Sequence, residues 1–280
     1  MHYMMRKLLS FSIAVMGVAG SLPAAAFIID GKLDDWGVDT KTWIPADGIQ
    51  FTIEDQIGVG AYYLTPGWGG QAYDAEALYA KKADGKVYIA LATGHNPRTL
   101  NQGNSYGAGD FAIDFNKDGS FDVGINILHA EGFKKGAYTF ETFGVEGGVY
   151  KNPVWAYGLW DTAGNLAKKG NADRAHPTHM TGGTQVGQAE LKYTTVGVAG
   201  YGQRSTDLHY FYEMSIDTGL LFAAGWDGKA FDIHWTQNCA NDSIFVDPPG
   251  NVPAPTTLAL MGLGLFGLIQ RRTQSNRRRR

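Results

Sequence analysis

Leu208-His209-Tyr210-Phe211-Tyr212-Glu213-Met214-Ser215-Ile216-Asp217 is the stretch that decides the fold. Tyr210, Tyr212, Met214 and Ile216 fall on one side of an extended chain, and His209, Phe211, Glu213 and Ser215 on the other. That period of two is the signature of a β-strand. Working outward, Val87, Ile89 and Leu91 alternate in the same way behind an Ala83-Asp84-Gly85 turn, and Phe231, Ile233 and Trp235 alternate with Asp232, His234 and Thr236. Residues 111–115 and 121–128 read as a strand pair, and 49–54, 76–82, 137–143 and 188–195 as further strands. No stretch between them carries a convincing helical period. Roughly ten short strands parted by Gly and Asp turns predict an all-β body, a single antiparallel β-sandwich or barrel with long Gly-rich loops. The longest such loop spans 144–187 and holds Trp155, Tyr157 and Trp160.

The two ends of the chain read differently from this body. Arg6-Lys7, an apolar run over 8–20 and a small-residue site at Ala24-Ala25-Ala26 have the three parts of a secretory signal. Cleavage is expected after Ala24-x-Ala26, so that residues 1–26 are removed and the mature chain starts at Phe27. Residues 251–280 contain Val252-Pro253-Ala254-Pro255, an apolar run over 258–269, Arg271-Arg272 and a final Arg277 to Arg280. As a helix the apolar run would rise roughly 18 Å against about 30 Å of hydrocarbon, a marginal span for a transmembrane helix. The arginines would remain cytoplasmic and leave everything before them outside. This tail resembles the PEP-CTERM sorting signal, which an exosortase recognises in bacteria that export proteins to the cell surface. Ala254 stands where that family has Glu. The resemblance implies an exosortase-type processing enzyme as partner, transient contact with the inner membrane, and a cell-surface or extracellular-matrix destination.

Residues 27–250 are enough for one domain with a full core. Of the 24 basic residues, two belong to the signal and six to the tail; sixteen remain against all 27 acids, so the body carries a net charge of −11. An acidic body argues against nucleic acid and acidic glycans, and is compatible with neutral glycans or metal cations. Cys239 is the only cysteine and cannot form an internal disulfide.

Residues 29–36 (Ile-Asp-Gly-Lys-Leu-Asp-Asp-Trp), 84–90 and 109–114, together with the 231–242 stretch, resemble the strands of DOMON-like sandwiches. That group is related to the family-9 carbohydrate-binding modules. The resemblance implies a non-catalytic exported sandwich of jelly-roll or DOMON-like type, in which aromatic side chains hold sugars and calcium is structural.

Candidate chemistry is sparse. Asp114-x-Asn116-x-Asp118-Gly119-x-x-Asp122 places oxygen ligands at alternate positions around a Gly turn, as a hard cation such as Ca²⁺ prefers. Ile125 occupies the twelfth position, so the loop is not an EF-hand. If Phe115 pairs with Phe121, both facing inward, Asp114 lies across from Asp122 and Gly119 takes the left-handed position of the turn. A plain hairpin with solvated Asp caps is the other reading. In His176-Pro177-Thr178-His179, Pro177 bars the helix that would join the two imidazoles, so a solvated loop is expected. His234 reads as a hydrogen-bonded structural residue; the resemblance to DOMON-like domains, some of which carry haem on a Met–His pair, offers Met214 with His209 or His234, although Met214 shares a core face. No nucleophile elbow, zinc-protease motif or phosphate loop is present, which points away from an enzyme, with glycoside chemistry the least favoured reading. Trp43, Trp68, Trp155, Tyr157 and Trp160 lie in turn-rich segments and are candidates to stack on sugars or to plug loops onto the sandwich. Two functions stand: a glycan-binding module, or a structural and adhesive matrix protein without a small ligand.

Overall fold

The computed structural model describes residues 27–55, 69–97, 107–127, 143–157, 175–238 and 240–247. The signal segment, the expected strand at 137–143 except its last residue, Cys239 and the sorting tail lie outside these described residues. The body is an all-β sandwich of two antiparallel sheets. One sheet has the order β1 (Gln50–Ile53), β2 (Ala75–Ala83), β3 (Lys86–Thr93), β9 (Tyr210–Asp217), β8 (Glu190–Tyr193). The other runs β11 (Ser243–Val246), β10 (Asp232–Thr236), β4 (Phe111–Asp114), β5 (Val123–Ile125), β6 (Gly148–Ala156), β7 (His179–Gln188).

The deciding stretch becomes β9 and pairs along its full length with β3, Val87 with Ile216 and Leu91 with Tyr212. Tyr212, Met214 and Ile216 point between the sheets, where they meet Phe111, Ile113, Val123, Ile233 and Trp235 of the six-stranded sheet. Each such side chain contributes roughly 1.5–3 kcal/mol on leaving water. The opposite face of β9 is buried as well. Phe211 packs there with Tyr79, Tyr88, Ala90 and an N-terminal segment that brings in Ile29, Leu33, Trp36 and Trp43. The five-stranded sheet is therefore covered on both sides.

A carboxylate holds that N-terminal cover down. Glu213, fully buried on β9, accepts hydrogen bonds from the Trp36 indole N–H at 2.9 Å and from the backbone N–H groups of Asp30 and Gly31 at 2.8 and 2.9 Å. Burial raises its pKa, and these three donors act against the rise. Gly31 sits at φ +81°, and a Cβ there would press on the Tyr193 backbone at 3.1 Å.

Two parts of the architecture depart from the sequence reading. The 144–187 stretch is no loop at its ends: β6 and β7 form there, with register shifts between Val149 and Tyr150 and on either side of Val154. Thr218–Ala224 folds as a short helix, α1. The Asp217 carboxylate caps it by accepting from the Gly219 N–H at 2.6 Å, and Gly225 at φ +113° ends it. Leu220 of α1 lies against Gly187, where a Cβ would come within 2.4 Å of its methyl.

Candidate functional site

The acidic hairpin has the register read from the sequence. Its ladder runs as far as the pair Ile113–Val123, short of the expected Asp114–Asp122 and Phe115–Phe121 pairs, and Gly119 is left-handed at φ +83°. Asp114 faces Asp232 of β10 across the sheet. The Asp114 carboxylate turns into its own loop and accepts from four backbone N–H groups. These are Asn116 (3.2 Å), Lys117 (2.7 Å), Asp118 (3.3 Å) and Gly119 (2.7 Å). Asp122 accepts from the Phe115 N–H at 2.8 Å, and Asn116 donates to Asp118 at 2.9 Å. Lys117 bridges Asp232, at 3.0 Å, and Asp247. Amides and one ammonium thus offset the like charges. Among the described residues no group of three or more His, Cys, Asp or Glu is arranged to hold a metal ion.

The aromatic candidates separate. Trp43 is fully buried, stacked on Tyr201 at 5.0 Å with its edge toward His209 at 5.1 Å, and its carbonyl accepts from the Tyr79 hydroxyl at 2.8 Å. It plugs the second core and offers no face to a sugar, which corrects its candidacy. Trp68 and Trp160 lie outside the described residues. Tyr157 is half-buried just past β6. Trp155, also half-buried, stands on β6 and reaches the outward face of the six-stranded sheet.

On that face a row of rings runs across the strands. Trp155 meets Phe121 at 6.1 Å, Phe121 meets the edge of His234 at 5.0 Å, and His234 stacks on Phe245 at 5.4 Å and 19°. Phe245 is 53 % exposed. Small residues beneath the row, Ala112 and Gly124, leave room for it. A Cβ on Gly124 would fall 2.1 Å from the Met180 sulfur and 3.0 Å from the Trp155 ring. The Trp155 indole N–H is buried and makes no hydrogen bond among the described residues. Asp232, Lys117 and Asp247 form a charged margin beside His234 and Phe245. Burial lowers the His234 pKa, while Asp232 and Asp114 pull it upward.

Phe121 joins this row against expectation. It was to face inward with Phe115, which is buried in the main core and meets Phe231 at 6.3 Å. Regular pairing ends at Val123, because Asp122 uses its side chain to cap Phe115, and Phe121 is released to the outer face. His234 is held by rings on both sides. His179 opens β7 fully buried beside Thr178, so this stretch is not a solvated loop. Burial carries the His179 pKa down to about 4, and Asn238 opposes the shift. Nearby Asp110 accepts from the Ile127 and Met180 N–H groups at 2.8 Å each, while burial lifts its pKa to about 7. Met214 faces the inter-sheet core, His209 contacts Glu76 at 3.2 Å, and His234 is on the outer face, so no Met–His pair forms among them.

Residues 251–274 match the PEP-CTERM protein-sorting motif. The match implies export to the cell envelope or surface and processing by an exosortase, and it includes Val252, Pro253, Ala254, Pro255, Arg271 and Arg272. No helix among the described residues is long and apolar enough to cross a membrane. A solved structure of a candidate carbohydrate-binding protein from Bacteroides uniformis covers 75 % of this chain and 81 % of its own, at 9 % identity and a TM-score of 0.29. At that score the likeness carries no argument about ligand or mechanism. No curated protein matches the chain.

Proposed function

We propose that this is an exported, non-catalytic surface protein whose sandwich binds neutral glycans across the outward face of its six-stranded sheet. The observation that carries the reading is the ring row Trp155–Phe121–His234–Phe245. Sugar rings present apolar C–H faces that stack on aromatic planes, and the carboxylates and ammonium at the margin suit hydroxyl groups. The row is open rather than enclosed, as a polymer passing along a surface requires. The net charge of −11 on residues 27–250 repels acidic polysaccharides and favours neutral ones. In this reading residues 1–26 direct secretion, the tail directs sorting, and the 258–269 run makes transient contact with the inner membrane.

A glycan array probed with the purified protein tests the proposal. Wild type is expected to retain neutral glycans, and Trp155→Ala and Phe245→Ala each to weaken the best of them roughly tenfold, about 1.4 kcal/mol. Binding unchanged by both substitutions removes the site. Absence of any binding by wild type removes the glycan reading and leaves the structural, adhesive one.

A further inference from the structure

We infer that β7 is a self-association edge, through which a second copy of this chain extends the six-stranded sheet. Among the described residues the two open sheets have four edge strands, β1 and β8 in one sheet and β11 and β7 in the other. Exposed edges invite pairing with another chain, and folded proteins blunt them by shortness, charge, proline or bulges. Three of the four are blunted. β1, β8 and β11 each have only four residues; β8 carries Glu190 and Lys192, β1 runs into Glu54 and Asp55, and β11 is flanked by Asp242 and Asp247. β7 is different. Its ten residues, His-Met-Thr-Gly-Gly-Thr-Gln-Val-Gly-Gln, contain no acid, no lysine or arginine and no proline. Thr181, Gly183, Thr184, Gln185 and Gln188 are exposed, and β6 is its only strand neighbour among the described residues.

The occupant follows from charge. A body of net −11 repels its own copies, so self-contact is tolerated where the surface is uncharged, and β7 meeting β7 antiparallel brings no like charges together. A strand without charge gives an acidic or basic partner nothing to select, whereas backbone groups and Thr and Gln side chains complement a second copy of themselves. Sorting to one surface also holds many copies at high local concentration, which favours a weak edge contact. Pairing in this way turns two six-stranded sheets into one continuous sheet.

Sedimentation of the full chain in a mild detergent, over a range of concentrations, tests the inference. Wild type is expected to pass from one to two chains per particle as concentration rises. Thr184→Lys and Gln185→Lys, on exposed positions, are expected to raise the dissociation constant at least tenfold while melting temperatures stay within a few degrees of wild type. A Thr184→Cys variant in a Cys239→Ser background should give a cross-linked dimer with a short bismaleimide, and Lys192→Cys on β8 should not. One chain per particle throughout overturns the inference. So does a dimer indifferent to both lysines, as association through the apolar tail would produce, or equal cross-linking from Thr184→Cys and Lys192→Cys.

Discussion

Glu213 shows how much one side chain settles. It is acidic, central in the most regular strand, and its three donors all come from the N-terminal segment. Glu213→Ala leaves those donors buried without an acceptor, each costing on the order of 1–3 kcal/mol. Denaturant unfolding should report a loss of about 3 kcal/mol, with the segment around Trp36 becoming sensitive to protease first. Glu54 gives a pH signature. Burial, assisted by the charge of Asp242, raises its pKa from 4.5 to about 8. The folded state therefore holds a proton that the unfolded state releases. The stabilisation is complete below pH ~4.5 and is lost as pH rises toward 8. Wild type should lose denaturant resistance across that window relative to its own Glu54→Gln variant, whose profile lacks this slope; parallel profiles would show that Glu54 stays ionised. At this scale the sequence hides what tertiary folding decides. Trp43 is set among turn residues, yet it ends fully buried, because its neighbours across the second core come from positions 79, 201 and 209.

Elements were legible where the period of two was intact. β2, β3, β9 and β10 emerge near their observed limits, and so does the frame of the β4–β5 hairpin. β6 and β7 were not legible. Asn152 at φ +48° and Pro153 break the alternation of β6, the register shifts three times, and β7 contains three glycines. α1 escapes notice because seven residues make too few turns to show a helical stripe. The ring row was half legible for a related reason. His234 and Trp155 are read directly, but Phe121 joins only because pairing fails at Asp122. The row depends on a residue that contributes no ring. Gly124→Val should displace Met180 and Trp155, lower the melting temperature and abolish glycan retention together, whereas Phe245→Ala should affect retention alone. Retention preserved in Gly124→Val would show that Trp155 is not a contact.

For the whole molecule, address and body divide the work. The tail contributes six of the 24 basic residues and masks the acidity of what it delivers. Removing residues 251–280 should release the protein from the envelope fraction into the medium, as followed by immunoblot, without lowering the melting temperature of the body. Ala254→Glu, which restores the family residue, should leave localisation intact and speed loss of the tail; a slower conversion would show that Ala254 is the better substrate residue here. A pull applied from the C-terminal end enters the body at β11, the four-residue edge strand that carries Phe245. Tension on that strand loads its pairs with β10, and its displacement carries away one ring of the row. A glycan held there would be let go under load before the sandwich itself gave way, a mechanical fuse at the point of attachment.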